Sequence, residues 1–414
     1  MNVRILRSLC VAVLWCWLAV SASAQFQLSL RPATRTAAFP VPDALKNSAT
    51  WDTPDFLSGW GAVSAAVAEE HRNFSAPCEV FGHKAYSVRG IFEHGKLTGI
   101  TVVVLDSGAW FGFVPDADVK RVSATKGPQF AALYKQTAED VQRGLAALAG
   151  GAGRKVSLVD KGVLKHDVLA FHTGDLWTRL TLRDNQLVKF TVTRSEPDAV
   201  SPLSAQRRSG KKEEQARAFA SHVSNAPNGD RLLDGVPIFT QGDRAYCGVA
   251  TLAMGMQFLG LRLDTEDYAG AAGIKFGSTY HSDIRAVFDA AADAAKLKLT
   301  HSTLFEFEKA RVAIDAGMPV VVFRRWSQER DFLHGAFAER FQKDPAATLP
   351  KPDLNDRKMW PTKESFSHSS LVTGYNLTRR EVIFTESWGE RVRNRRMRIE
   401  EMEGTSYMAY YPHL

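Results

Sequence analysis

The stretch that decides the fold of this chain covers residues 241–259 and reads QGDRAYCGVATLAMGMQFL. It begins as a polar, glycine-containing loop and continues as a segment that is apolar or small at nearly every position. A helix that is apolar on all sides belongs in the interior of its domain, and Gly260 follows it, as glycine often follows a helix end. The stretch therefore predicts a buried central helix, Val249 to Leu259, with Cys247 and Gly248 where the loop becomes the helix.

Cys247 occupies a position that suits a nucleophile. A helix N-terminus carries partial positive charge and free N–H groups, which favour the thiolate, the reactive form of cysteine. Gly248 leaves room for a substrate backbone to approach, so we expect it to contribute to substrate binding. Cysteine is also often buried and inert, and Cys247 alone leaves both interpretations open.

Three further residues fit nucleophilic catalysis. Gln241, six positions before Cys247, can donate a side-chain N–H to an oxyanion, with the Cys247 backbone N–H as second donor. His368 begins a predicted strand, where its imidazole can hold the thiol proton and deliver it to a leaving amine. Glu386, on the adjacent predicted strand, can accept the second imidazole N–H. Taken singly, each residue is more typical of a polar position at the surface or at a strand edge.

The four candidate residues occur in a fixed order along the chain: Gln241, Cys247, His368 and Glu386. This order resembles that of the papain-like cysteine peptidases, and is closest to the bacterial group that processes bacteriocin leaders. Residues 386–389, ESWG, are similar to papain's asparagine-serine-tryptophan-glycine run, and residues 313–321, AIDAGMPVV, are similar to the strand-entry segment of the bacterial group. One departure is that glutamate occupies the orienting position, where the family has asparagine or aspartate.

The resemblance implies an enzyme that hydrolyses peptide bonds through a Cys-His-Glu triad without cofactor or metal, and Trp388 is expected to shield the triad and contact substrate. Two alternatives share the same region: a transglutaminase-like acyl transferase, and an inactive binding protein on a peptidase fold. Loss of a catalytic residue would have indicated the inactive protein, and none is lost.

The net charge is +7, but no basic stripe with interleaved aromatic residues indicates nucleic acid. The expected partner is a peptide or protein substrate.

The first residues of the chain predict export. Basic residues, an apolar stretch and a small-residue site make residues 1–24 a signal peptide with cleavage near Ala24. The apolar stretch is short for a membrane span, and no later segment is long enough. The mature protein is therefore expected to be secreted or periplasmic.

Length predicts two domains, since 414 residues exceed one compact core. Residues 25–195 predict a smaller α+β domain that serves as a pro-region or a docking domain. Residues 196–231 are rich in charge and turn residues and predict a solvated linker or a cleavable connector, with basic pairs at 207–208 and 211–212. Residues 232–414 predict an α+β papain-like domain, with the central helix packed on an antiparallel sheet.

Local patterns add smaller predictions. Residues 56–70 and 129–148 have helical spacing, and hairpin turns are expected at 94–96 and 184–185. The arginines between 391 and 398 predict a solvated hairpin face, or a surface that attracts acidic partners.

Overall fold

The computed structural model describes residues 43–65, 69–275 and 284–414. The predicted signal peptide, residues 1–24, lies outside these ranges. Within them, two main antiparallel sheets pack with helices, and the α+β class is confirmed. None of the described helices is long and apolar enough to cross a bilayer.

The first sheet and a small separate hairpin account for the strands of the N-terminal region. These strands are β1 Glu69–Asn73, β2 Glu79–Val80, β3 His83–Lys84, β4 Ser87–Glu93, β5 Lys96–Asp106, β6 Arg154–Val159, β7 His166–Thr173, β8 Leu176–Arg183 and β9 Leu187–Thr193. The sheet order is β1-β4-β5-β9-β8-β7-β6, and β2 pairs with β3. Both predicted hairpins are present, with His94 and Asn185 at positive φ in their turns.

Three helices accompany the first sheet: α1 Pro54–Ser58, α2 Ser107–Phe111 and α3 Asp116–Ala149. The predicted end of α3 is confirmed, because Gly150 adopts the left-handed conformation and its N–H bonds to the Ala146 carbonyl. α3 begins thirteen residues before the predicted start, because its first turns bury no side chain and so lack an apolar pattern. The helix predicted over 56–70 is wrong after Ser58, since Gly61 at φ 75° breaks it and β1 follows.

The second sheet has eight strands. They are β10 Val223–Asn225, β11 Asp230–Leu233, β12 Lys298–Ser302, β13 Val320–Trp326, β14 Phe366–Asn376, β15 Glu381–Thr385, β16 Arg395–Arg398 and β17 Ser406–His413. The main order is β10-β11-β14-β13-β17-β12, while β15 pairs with β14 and β16 with β15. β14 therefore lies centrally, with β13 and β15 on opposite edges.

Ten helices of the described chain follow β9. They are α4 Glu196–Val200, α5 Ala205–Ser209, α6 Lys212–Ala220, α7 Cys247–Phe258, α8 Thr265–Ala271, α9 Ile284–Ala294, α10 Phe307–Asp315, α11 Gln328–Lys343, α12 Leu354–Lys358 and α13 Ile399–Thr405. α7 is the predicted central helix. Its residues 247–257 are all buried, and it packs against β13 and β14. A helix without a polar face has no stable place outside a core.

The segment predicted as a linker, residues 196–231, is folded. It contains α4, α5 and α6, and its last strand β11 joins the second sheet through β14. Arg207 is buried and donates to the Gln215 side chain and to the Ala295 carbonyl. The prediction of an exposed connector is therefore wrong at Arg207, because its guanidinium is satisfied inside the fold.

The basic run near the C-terminus is also internal at its centre. Arg395 is buried and pairs with Asp331, and Arg396 is buried between Asp230 and Glu381. The predicted solvated face is wrong at these two positions. Their charges attach β16 to α11, β11 and β15, so they are not available to an acidic partner.

Candidate active site

Cys247 is the first residue of α7 and lies at the edge of a cavity of about 570 Å³. It is 8% exposed, and the next ten residues of the helix are also buried. Among the described residues, all of those that line the cavity lie between 245 and 408. Apolar side chains such as Val249, Ile274 and Phe323 form much of the wall. The nucleophile candidate is thus accessible from a cavity built by the C-terminal region.

His368 and Glu386 meet through the pairing of β14 with β15. His368 lies in β14, and Glu386 directly follows the last residue of β15. Antiparallel pairing brings the end of β15 back beside the first half of β14. His368 Nε2 lies 2.7 Å from Glu386 Oε2, and the His368 side chain is also hydrogen-bonded to Cys247. The structure therefore brings all three predicted triad members into one chain of contacts.

The charges around His368 favour the imidazolium form. Burial lowers the pKa of His368, but the Glu386 charge and hydrogen bonds to Cys247 and Glu386 outweigh this effect and raise the pKa to about 9. Burial raises the pKa of Glu386, but the His368 and Arg324 charges prevail and lower it to about 2. At neutral pH the site therefore holds an imidazolium beside a carboxylate, ready to donate a proton.

This electrostatic arrangement predicts the alkaline limit of activity. The imidazolium must deliver a proton to the leaving group, so turnover should fall as His368 loses that proton. We expect the alkaline limb of kcat/KM against pH to have its midpoint near 9, the pKa of His368. A pH series with a fluorogenic peptide measures it. A midpoint near the ordinary histidine value of about 6.5 would contradict the coupling to Glu386.

A buried arginine, which sequence reasoning missed, supports Glu386 from the other side. Arg324 is 2% exposed; its Nη2 donates to Glu386 Oε1 at 2.8 Å, and its Nε donates to Ser370 Oγ at 2.9 Å. Ser370 Oγ in turn donates to Glu386 Oε1 at 2.9 Å. A buried guanidinium needs a charged partner, which gives a physical reason for glutamate where papain has neutral asparagine. The sequence feature that could have indicated this residue is its position, because Arg324 directly follows the apolar run that opens β13.

Gln241 is fixed by contacts to Ser387 and Arg244. Its Nε2 donates to the Arg244 carbonyl at 2.9 Å, and its Oε1 accepts from Ser387 Oγ at 2.6 Å. Its backbone N–H also donates to the Ser387 carbonyl at 2.9 Å. An amide nitrogen carries two N–H groups, so one is left after the bond to Arg244 for an oxyanion. Ser387 is a second supporting residue that the sequence did not reveal.

The two predicted substrate-binding residues lie in different surroundings. Gly248 lines the cavity, and a Cβ there would lie 3.1 Å from the Phe323 ring, which leaves little space for a side chain. Trp388 stacks on the His368 imidazole, with ring centroids 4.4 Å apart and planes at 25°. That position suits shielding of the His368–Glu386 contact; substrate contact by Gly248 or Trp388 stays a prediction.

Replacing Gln241 with alanine tests the oxyanion assignment. Loss of one donor should lower kcat by roughly 10²- to 10³-fold. The thermal midpoint should fall only modestly, because the buried Ser387 hydroxyl loses its acceptor, which costs about 1–3 kcal/mol. Turnover and thermal unfolding are measured together. Normal turnover in the folded variant would exclude Gln241 as an oxyanion donor.

The other described cysteine serves as an internal contrast. Cys78 lies in the core of the first sheet, and burial raises the pKa of its thiol to about 12. Cys78 and Cys247 are both free, so no disulfide joins them. Within the described ranges, no group of three or more His, Cys, Asp or Glu residues is arranged to hold a metal ion.

A central helix that begins with Cys247, packed on an antiparallel sheet that carries His368, is the arrangement of the papain-like peptidases, and that resemblance is confirmed for the C-terminal region. Residues 233–412 match the model of the Peptidase_C39 like family. Among solved structures, the chain is similar to a Bacillus anthracis protein described as a C39-like peptidase, with 17% identity and a TM-score of 0.29. That match covers 43% of this chain and 96% of the other. No curated protein sequence matches the chain at a significant level.

Proposed function

We propose that this chain is a thiol peptidase that hydrolyses peptide bonds, with Cys247 as nucleophile, His368 as acid and base, and Glu386 as the orienting group. The observation that carries the proposal is the single line of contacts from Cys247 through His368 to Glu386, at the edge of an accessible cavity. The match of residues 233–412 to a peptidase family supports the same reaction class.

The proposed reaction has two halves. The Cys247 thiolate attacks the scissile carbonyl carbon, and the oxyanion that forms accepts N–H bonds from the Gln241 side chain and the Cys247 backbone. The His368 imidazolium gives its proton to the departing amine, which leaves an acyl thioester on Cys247. Water then loses a proton to the neutral imidazole and attacks the thioester, which releases the acid and restores the thiolate and imidazolium. In both halves of the reaction, Glu386 Oε2 stays hydrogen-bonded to Nε2 of the His368 ring.

The cavity favours a substrate with an apolar side chain near the scissile bond. Its walls include the apolar side chains of Val249, Ile284, Phe323 and Met408. An apolar side chain transferred there from water gains roughly 1.5–3 kcal/mol. We further propose that the enzyme acts after export, on the strength of the signal-peptide pattern in residues 1–24.

Product analysis tests the reaction class. The mature chain is incubated with an unfolded protein substrate in ¹⁸O-labelled water, with and without a primary amine, and products are identified by mass spectrometry. We expect chain cleavage and one ¹⁸O atom in each new C-terminal carboxyl group. Modified glutamine side chains without cleavage would indicate the acyl transferase instead. An intact substrate in every condition would indicate a binding protein.

A further inference from the structure

The loop that carries Gln241 makes buried contacts with the N-terminal region through Arg244. Arg244 is 3% exposed, and its Nε donates to the Gln241 carbonyl at 2.8 Å. Its Nη1 donates to Asp106 Oδ2 at 3.1 Å and to Glu266 Oε1 at 2.9 Å. Because Gln241 Nε2 donates back to the Arg244 carbonyl, the two residues fix one another. A displacement of the Arg244 guanidinium would therefore displace Gln241 and its side-chain amide.

Asp106 is well suited to hold Arg244. It is the last residue of β5 and the N-cap of α2, where its Oδ2 accepts the Ala109 N–H at 2.9 Å. Its Oδ1 accepts from the Tyr246 hydroxyl at 3.4 Å, and Tyr246 directly precedes Cys247. A side chain at Gly108 would collide with that hydroxyl, so the two surfaces are in close contact. The Asp106 carboxylate, at the end of a strand of the first sheet, thus contacts both Arg244 and Tyr246.

The same interface supports a wall of the cavity. Gln186, in the turn between β8 and β9, donates from Nε2 to the Ile274 carbonyl at 3.0 Å, and Ile274 lines the cavity. Two buried cations of the first sheet pair with the start of α8: Arg89 with Glu266 at 3.2 Å, and Lys189 with Asp264 at 2.8 Å. Removing one side of this interface would leave buried charges unpaired, which is strongly unfavourable.

We propose that the N-terminal region is a permanent positioning partner of the active site, in which Asp106 acts through Arg244 to set the Gln241 amide for oxyanion binding. Asp106 and Arg244 are positioning residues, and the inference rests on the proposed peptidase function. It differs from the pro-region and docking roles that the sequence left open, because here the N-terminal region raises activity. Its contacts reach the loop that flanks Cys247, while the described cavity lining comes from the C-terminal region alone.

Replacing Asp106 with asparagine in the full chain tests this inference. The amide keeps an oxygen for the Ala109 N–H but loses the charge that holds Arg244. We expect kcat to fall roughly 10- to 100-fold, as small displacements of a positioned group do, with KM nearly unchanged. Alkylation of Cys247 by iodoacetamide forms no oxyanion, so its rate should stay at the wild-type value. A merely structural effect would lower both rates together, and that result would overturn the inference.

A double-mutant cycle identifies the route of the effect. If Asp106 acts through Gln241, then Asp106→Asn should cause no further loss of kcat in a Gln241→Ala background. An equal loss in both backgrounds would contradict the inference. The matched control is Glu93→Gln, which changes a carboxylate to an amide at the same interface, where Glu93 pairs with Arg262. This control should retain wild-type kcat.

Two further outcomes are distinguishable. Wild-type turnover together with unchanged turnover in the folded Asp106→Asn variant would overturn the positioning role alone. A wild-type chain without peptidase turnover would overturn the proposed function and this inference together. If Asp106→Asn does not fold, Arg244→Lys supplies the second test. Lysine keeps the charge, but it cannot donate to Gln241, Asp106 and Glu266 in the fork geometry of a guanidinium, and the same selective loss of kcat is expected.

Discussion

Replacing Cys247 with alanine should lower peptide turnover by on the order of 10⁴-fold or more, because removal of the nucleophile leaves only binding and oxyanion stabilisation. The fold should persist, since alanine suits the start of a helix buried in the core and Cys247 makes no disulfide. Steady-state turnover and thermal unfolding are measured on the same preparation.

The chain offers a matched control for this variant. Cys78→Ala changes the other described cysteine, which is buried in the core of the first sheet. It should cost some stability through lost packing and leave turnover at the wild-type value. Equal turnover in the Cys247 variant and the control would exclude Cys247 as the nucleophile.

The second large effect is expected at Glu386. Glu386→Gln leaves Arg324 buried without its charged partner, and breaking such a pair costs about 3–5 kcal/mol of folding free energy. The stability cost is expected because both side chains are buried and their charged atoms lie 2.8 Å apart. Loss of the carboxylate should also lower the pKa of His368 and move the alkaline limb of kcat/KM to lower pH. Chemical denaturation and a pH series measure the two effects.

A double variant separates the stability effect from the catalytic effect. Arg324→Met with Glu386→Gln removes both charges, and replacement of a whole buried pair is often close to neutral. Stability should return towards wild type, while the alkaline limb stays at lower pH. As a control, Glu401→Gln weakens a buried pair with Arg330 outside the described cavity lining. Glu401→Gln should lower the stability without moving the alkaline limb of kcat/KM against pH. An equal shift of this limb in the Glu401 and Glu386 variants would contradict the role of Glu386.

The parts of the site that the sequence predicted are those with local signals. The buried helix α7 is visible because its apolar residues are contiguous, and its first residue is close to Gln241 in the chain. His368 and Glu386 could be placed together because both border strands of one predicted hairpin. Each of these predictions needed only nearby residues and the period of a helix or strand.

The parts that were missed depend on distant residues. Arg324 looks like an ordinary polar strand end until β13 pairs with β14 and brings it beside Glu386. Asp106 lies far from Arg244 in the chain, and no periodic pattern marks their contact. Charge-rich segments were misjudged for a related reason. Composition predicts solvation, but it cannot show that Arg207 and Arg396 find partners inside the fold.

The most direct test of a Cys247-centred peptidase site is active-site labelling of the mature chain, from residue 25 onward, with a peptidyl vinyl sulfone, followed by mapping of the adduct by mass spectrometry. We expect an adduct on Cys247 alone, formed far faster than in the urea-unfolded chain, where Cys78 and Cys247 should react slowly and alike. Labelling should persist at neutral pH, because His368 stays protonated there. Labelling of Cys78 in the folded chain, or Cys247 reacting no faster folded than unfolded, would contradict the proposed site.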